Sequence, residues 1–231
     1  MTGYIRIDGW HPAMASGRQT RDYGVAEISD APASGPAAPA WLAEWEDHAI
    51  STRLALGHFD GLEAVEEAGM LGRWRGRDLP TGHPLDGVLE ALSWYGKDFR
   101  SSEDVDPLLF RRRSGKLFAL DPARIPLRRL QRHPRLWLGP IPVQLFRRFG
   151  HLLSTRRPAA RLRSLAFRGV VSAAMVYDSL PVIDCFRRID AVRVLGLMDM
   201  RGMEQPFFFL LRREADAGTA PIRYGDAGPA I

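Results

Sequence analysis

The sequence predicts a mainly β protein with short helices and a disordered N-terminal leader. Strand-like runs follow one another in the C-terminal half, at 162–177, 181–188, 191–198 and 207–213. The spacers between them are short enough for hairpins, which favours an antiparallel sheet. The leader is predicted from the Ala-, Pro- and Gly-rich stretch that ends near residue 40.

A further strand is predicted at 70–77, where two kinds of side chain alternate. Gly72, Trp74 and Gly76 fall on one face, and arginines fall on the other. The tryptophan face is expected to point inward, because glycines beside an indole let another strand approach closely. An ordinary core tryptophan with adjacent glycines explains the same spacing.

This motif and several others resemble the bacterial GXWXG family. The matching residues are LGRWRG at 71–76, PTGHPLDG at 80–87 and WYGK at 94–97. The second half resembles the companion domain of unknown function, through the residues at 168–169, 172–178, 181–184, 186–187, 195–196, 198–199, 202 and 206–209.

The resemblance implies a lipocalin-like antiparallel β-barrel, because a Gly-x-Trp on the first strand also resembles the lipocalin and nitrobindin (calycin) group. Barrels of this kind with about eight to ten strands hold one small apolar ligand. Arg212 or Arg213 is expected to stack on Trp74 as a cation–π partner. The expected ligand-binding residues are Trp74, His83, Trp94, Tyr95, Met175, Tyr177, Asp184, Phe186, Met198, Phe208 and Arg212.

The expected organisation follows from these patterns. Helices are predicted at 41–57, at 61–69, after Pro84 and at 143–153. The expected regions are a flexible leader at 1–40, helices and the first barrel strand at 41–110, a basic connector interrupted by prolines at 111–155, strands completing the barrel at 156–214, and a tail at 215–231.

Charge is unevenly distributed along the chain. Residues 41–106 carry fourteen acidic against six basic side chains, whereas residues 107–168 carry sixteen basic side chains and one acid, Asp121. Arginines interleaved with Leu, Phe and Trp137 suit an anionic membrane surface. Nucleic acid is not expected, since the sequence has no helix-turn-helix or RNA-binding signature. A solvated basic face balancing the acidic half explains the same charges.

No cofactor or metal is expected. The sequence has no pair of His or Cys at zinc-ligand spacing, no P-loop and no dinucleotide fingerprint. It also has no histidine after His151, whereas some nitrobindin-like barrels hold haem through a late histidine. The single cysteine, Cys185, is interpreted as a small buried hydrophobe. One cysteine and the lack of a signal peptide or membrane-spanning run favour the cytoplasm.

The function expected from the sequence is a binding or carrier protein for a hydrophobic, lipid-like molecule in the barrel cavity, such as an anionic phospholipid or a fatty acyl compound. Two alternatives stay open. One is an enzyme acting on a small apolar substrate, with His83, Asp86 or Asp184 transferring a proton. The other is an interaction module that docks its basic face on an acidic partner.

Overall fold

The computed structural model describes residues 36–133, 136 and 139–215 of the 231-residue chain. In this part, nine β-strands form one antiparallel sheet, and the helices are short. The strands are β1 (Gly72–Leu79), β2 (Trp94–Phe99), β3 (Val105–Arg111), β4 (Leu117–Ala119), β5 (Ala160–Phe167), β6 (Val170–Tyr177), β7 (Val182–Arg188), β8 (Arg193–Met200) and β9 (Phe207–Arg213). The α-helices are α1 (Ala40–Asp47), α2 (Thr52–Gly61), α3 (Val88–Ala91), α4 (Leu127–Arg132) and α5 (Pro140–Phe149). Short 3-10 turns cover Glu67–Met70, Pro122–Arg124 and Gly150–Leu153.

The mainly β prediction is therefore confirmed. The leader predicted at 1–40 lies almost wholly outside the described residues, and so does the tail beyond residue 215. Among the residues described, no helix is long and apolar enough to cross a membrane.

The sheet closes on itself. β1 pairs with both β2 and β9, and the strands from β5 to β9 pair in chain order. β3 completes the ring by pairing with β2 along its length and with β5 through Val105 and Ala160. β4 lies on the same edge of β3 as β5, but further along it. The wall therefore divides between β4 and β5, and the connector that carries α4 and α5 runs from one strand to the other.

Strand alternation separates two cores. Inside the barrel, aromatic and aliphatic side chains from all nine strands pack together, and β4 contributes Phe118. Outside it, α1 and α2 cover the wall with Trp45 and Phe59, which pack in a second cluster with Phe208 of β9. Cys185 belongs to this outer cluster, and its burial raises the pKa of its thiol to about 12. The interpretation of Cys185 as a buried hydrophobe is confirmed.

The strand predicted at 162–177 is wrong, because the chain folds back in its middle. Arg168 and Gly169 both take positive φ angles, of 52° and 79°, and form the turn between β5 and β6. Two-residue hairpin turns of this kind usually contain Asn-Gly or Asp-Gly. Arg168 takes the place of the Asn or Asp in this turn, and its guanidinium forms an ion pair with Asp60 of α2 at 2.6 Å.

The helix predicted at 61–69 is also wrong. Its first part is extended, with Glu63 bridging to Arg188, and a 3-10 turn follows. The backbone N–H of Val65 donates to Ser172 Oγ at 2.9 Å, so tertiary hydrogen bonds replace those of a helix. The helix after Pro84 is limited to Val88–Ala91.

β2 was not predicted, because a β-bulge breaks its alternation. Trp94 pairs with Phe110 and Gly96 with Leu109, so two residues of β2 face one residue of β3. The bulge turns Lys97 toward the same interior as Trp94, three residues earlier, although strict alternation would place it outside.

Candidate functional site

Trp74 plugs one end of the barrel. Its indole is buried, and its Nε1–H donates to the carbonyl of Met70 at 2.6 Å. The guanidinium of Arg213 lies 4.2 Å from the ring centroid and also donates to the carbonyls of Leu71 and Gly69. Arg213 is thus the cation–π partner of Trp74, as expected for Arg212 or Arg213.

The glycines around Trp74 give room to neighbouring groups. A Cβ atom at Gly76 would lie 2.2 Å from the indole of Trp94, so this glycine admits a second tryptophan to the interior. A Cβ atom at Gly96 would lie 1.9 Å from the carbonyl oxygen of Trp74, and Gly96 has a φ of +144°. Gly76 of the Gly-x-Trp-x-Gly motif and Gly96 of β2 therefore allow close packing between β1 and β2.

An apolar cavity of about 90 Å³ occupies the other end of the barrel. β9 runs from this cavity, at Phe207 and Phe209, to the Trp74 end, where Arg213 pairs with Trp74. The side chains around the cavity are almost all aliphatic or aromatic: Leu85, Val88, Leu89, Trp94, Leu108, Ile125, Leu127, Leu130, Tyr177, Leu180, Val182, Met198, Met200, Phe207 and Phe209. Lys97 and Asp184 complete the lining.

The cavity is covered by the connector. Ile125 precedes α4, and Leu127 and Leu130 lie on it; all three are partly buried against the interior core and line the cavity. On the solvent side of the same helix, Arg129 and Arg132 are exposed. α4 is thus a one-helix cover that is apolar beneath and basic above.

A buried ion pair lies in the cavity wall. Lys97 Nζ lies 2.8 Å from Asp184 Oδ2, and both side chains are at most 3% exposed. The ammonium group also donates to the carbonyl of Pro107 at 3.1 Å. It lies 5.0 to 5.8 Å from the ring centroids of Phe209, Trp94 and Tyr177. Aromatic faces, a carbonyl and a carboxylate together surround this one cation.

Burial and pairing act in opposite directions on the two groups. Burial lowers the pKa of Lys97 and raises the pKa of Asp184, and the attraction between the two charges opposes both shifts. Burial also raises the pKa of Tyr177, and the nearby Asp184 adds to that shift, so the phenol stays protonated. The pair is electrically balanced whether or not a proton passes from Lys97 to Asp184.

Two buried polar atoms of the cavity-lining side chains have no hydrogen-bond partner. They are the second carboxylate oxygen of Asp184, Oδ1, and the indole nitrogen of Trp94, Nε1. Most buried polar atoms in proteins are paired, and leaving one unpaired costs about 1–3 kcal/mol. One atom accepts a hydrogen bond and the other donates one.

His83 and Asp86 stabilise the turn between β1 and α3. Asp86 Oδ2 accepts from the backbone N–H groups of Thr81 and His83 at 2.9 Å, and His83 Nδ1 accepts from that of Leu85 at 3.0 Å. Burial lowers the pKa of His83 to about 4, so the imidazole is neutral near pH 7. Neither residue lines the cavity.

Two family models match the chain. The description "GXWXG protein" applies to residues 57–115, and "Domain of unknown function (DUF4334)" applies to residues 158–213. A crystal structure of a protein from Thermomonospora curvata is similar, with 31% sequence identity and a TM-score of 0.56. The match covers 75% of this chain and 96% of that protein.

The chain belongs to the GXWXG protein family. No curated protein matches it significantly. In this GXWXG protein, the Gly-x-Trp-x-Gly motif at 72–76 forms the first part of β1, and the second matched region spans all of β5 to β9.

The GXWXG protein brings some of the sequence-predicted residues to the cavity. Trp94, Tyr177, Asp184 and Met198 line it. Met175 and Phe186 are buried elsewhere in the interior core. Trp74 and His83 lie in the plug and the turn described above.

Three predicted residues lie outside the barrel. Phe208 packs against Trp45 of α1, with ring centroids 5.4 Å apart, because it alternates with the inward Phe207 and Phe209. Arg212 is exposed on the same outer face. Tyr95 is out of the cavity too, and its ring contacts the guanidinium groups of Arg75 and Arg111.

Sequence reasoning missed Lys97. Its signal was that the chain has two lysines, Lys97 and Lys116, among thirty-two basic residues. Lys97 also ends the run WYGK at 94–97, through which the sequence resembles the GXWXG family. A lysine in a strand is normally interpreted as solvent-facing, and only the bulge at Gly96 places this one inside.

Proposed function

We propose that this GXWXG protein binds a small, uncharged, mainly apolar molecule in the cavity beneath α4. The observation that carries the proposal is an almost wholly apolar cavity whose lining side chains include an unpaired acceptor, Asp184 Oδ1, and an unpaired donor, Trp94 Nε1. Ligand sites commonly combine apolar walls with a few polar atoms that fix orientation. A hydroxyl or carbonyl group on the ligand would satisfy one of these atoms.

The balanced charges in the wall favour an uncharged ligand. The ammonium of Lys97 is already paired with Asp184 at 2.8 Å. A charged head group beside them would be a third buried charge without a counter-ion, which is strongly unfavourable. The polar end of the ligand is therefore expected to be neutral.

The size of the cavity limits what it holds while α4 is in place. A cavity of about 90 Å³ is smaller than the roughly 150 Å³ cavity that accepts benzene in an engineered protein. An acyl chain or another lipid-like ligand would require α4 to move outward, carrying Leu127 and Leu130 with it. Such a ligand is proposed only for the open form of the cover.

An enzymatic use of His83 and Asp86 has less support. Their acceptor atoms Nδ1 and Oδ2 already hold the turn through backbone hydrogen bonds. A general base must reach the proton that it removes, and these two residues do not line the cavity.

Filling the cavity tests the proposal. In Leu130→Trp, a larger side chain enters the space from the cover, whereas Arg129→Trp places the same side chain on the exposed face of the same helix. Saturation-transfer NMR with 2-propanol and with acetone, which are smaller than benzene and carry a hydroxyl and a carbonyl group, is expected to detect binding to the wild type and to Arg129→Trp. Binding to Leu130→Trp is expected to be lost, because the indole occupies the site.

Equal signals from the two tryptophan variants would contradict the proposal, because the probes would then bind elsewhere. Absence of signal from the wild type would contradict it as well. If the probes bind the wild type and Arg129→Trp but not Leu130→Trp, mass spectrometry of molecules extracted from the purified wild type and from Leu130→Trp would identify the natural ligand.

A further inference from the structure

The connector carries a stripe of exposed apolar side chains. Ile141 is 78% exposed, Leu145 58% and Phe149 46%, and all three lie on α5. Leu152, in the 3-10 turn that follows, is 66% exposed. The spacings of four, four and three residues place these side chains along one side of the helical segment. These four residues are called the stripe below.

Another side of α5 is attached to the barrel. The ring of Phe146 lies 5.0 Å from that of Phe110 on β3 and 6.4 Å from that of Phe118 on β4. Arg147 Nε donates to Ser93 Oγ at 2.9 Å. Because another side already packs on the barrel, packing among the residues that the structure describes does not explain the exposed stripe.

Exposed arginines lie on α5 beside the stripe and a few residues after it in the chain. Arg148 lies within α5, with its guanidinium 5.5 Å from the ring centroid of Phe149, and it is exposed. Arg156 and Arg157 follow on the exposed chain before β5. Over 107–168 the sequence holds sixteen basic side chains and one acid. The partner of this surface must therefore be apolar at its centre and negative around it.

We propose that the stripe inserts into the surface of an anionic lipid bilayer while the neighbouring arginines contact the lipid phosphates. A helix with an apolar side flanked by basic residues binds membranes in this way. A second copy of this chain fits less well, because two strongly basic surfaces would face each other. Residues 41–106 carry more acidic than basic side chains, so the excess of positive charge is concentrated at 107–168, where the stripe lies.

Membrane contact would bring the cavity cover to the lipid. Arg124, next to Ile125 of the cover, donates to the carbonyl of Leu152 in the stripe at 3.3 Å. The backbone N–H of Asp121 donates to the carbonyl of Leu153 at 2.9 Å. The cover and the stripe are therefore parts of one hydrogen-bonded connector, so that insertion of the stripe would hold the cover of the proposed ligand cavity near the bilayer.

Vesicle flotation tests the inference with the full chain. The probes are phosphatidylcholine vesicles with and without phosphatidylglycerol. The stripe variant combines Ile141→Ser, Leu145→Ser and Phe149→Ser, and the matched control combines Leu54→Ser, Leu71→Ser and Val171→Ser, which are exposed apolar residues elsewhere. We expect wild type and control to bind the anionic vesicles and the stripe variant to bind at least about tenfold more weakly.

The charges are tested separately. Arg148→Gln, Arg156→Gln and Arg157→Gln are each expected to weaken binding about fivefold, since a basic residue near an anionic surface contributes about 1 kcal/mol. Raising the salt from about 0.1 M to 1 M should weaken wild-type binding, because the Debye length falls from about 10 Å to 3 Å.

Three results would overturn the inference. They are equal binding by the stripe variant and the control, no preference of the wild type for anionic vesicles, and a dimer that depends on the stripe while vesicles are ignored. The last result would assign the stripe to a second copy of the chain. Leu130→Trp should bind vesicles like the wild type, so the cavity proposal and this one can fail independently.

Discussion

Removing the charge of Lys97 isolates Asp184 inside the barrel. In Lys97→Met the carboxylate loses a partner at 2.8 Å while staying 1% exposed, and Oδ1 already has no partner. Breaking a buried pair in this way typically costs about 3–5 kcal/mol. Domains of this kind have a total free energy of unfolding of about 5–15 kcal/mol, so the variant should be severely destabilised.

The double variant Lys97→Met/Asp184→Leu is the informative control. It replaces both charges with apolar side chains in an apolar cavity wall, and such replacements are often neutral or stabilising by about 1–4 kcal/mol. We expect the double variant to recover most of the stability lost by Lys97→Met. Urea unfolding followed by tryptophan fluorescence measures all the free energies in one cycle.

The pH dependence adds a second criterion. In Lys97→Met, burial without a counter-ion raises the pKa of Asp184 still further. The folded state then holds a proton that the unfolded state releases, so its stability should fall as the pH rises above about 4. A loss below about 1 kcal/mol for Lys97→Met, or single losses that simply add in the double variant, would refute the argument that the pair is buried and coupled.

Two other perturbations test the packing of Gly76 against Trp94 and the buried carboxyl group of Asp78, both on β1. Gly76→Ala should lower the free energy of unfolding, measured in urea, by about 1–3 kcal/mol, because its Cβ atom would lie 2.2 Å from the Trp94 indole. Gly57→Ala is the control, because a Cβ atom there would meet open space. Equal effects of the two substitutions would contradict the close packing at Gly76. For Asp78, burial first and then Glu90 and Asp86 raise the pKa to about 8. In the folded protein Asp78 keeps a proton that it loses above about pH 4 in the unfolded chain. The free energy of unfolding of the wild type should therefore fall between pH 4 and 8, by up to about 1.4 kcal/mol per pH unit relative to Asp78→Asn. Parallel pH profiles for wild type and Asp78→Asn would rule this out.

The C-terminal strands could be predicted because their signals are local. β9 at Phe207–Arg213 has the bounds expected from its run of apolar residues, and β7 at Val182–Arg188 differs by one residue. The turn at Arg168–Gly169 was missed because Arg-Gly is not one of the usual pairs in such turns. Arg168 forms an ion pair with Asp60, and this contact cannot be read from the sequence because the two residues are far apart in the chain. Hairpin prediction thus worked where the turn residues themselves carried the information.

The candidate site was predictable only in part. Asp184 and Met198 were among the expected ligand-binding residues, and both line the cavity. Phe208 and Arg212 were assigned to the wrong face of β9, although alternation with Phe207 and Phe209 could have excluded Phe208. The stripe on α5 was visible in the sequence only as apolar residues among arginines, since exposure depends on what packs against the helix.

The sequence by itself determined the antiparallel β character, the inward Trp74 with its flanking glycines, and the concentration of positive charge in the connector. These properties depend on neighbours a few residues apart, through strand alternation, turn length and composition. The tertiary structure alone decided that the bulge at Gly96 turns Lys97 inward to meet Asp184, and that α4 covers a cavity while α5 leaves its stripe exposed. Those features depend on strands that are far apart in the chain and meet only when the ring closes.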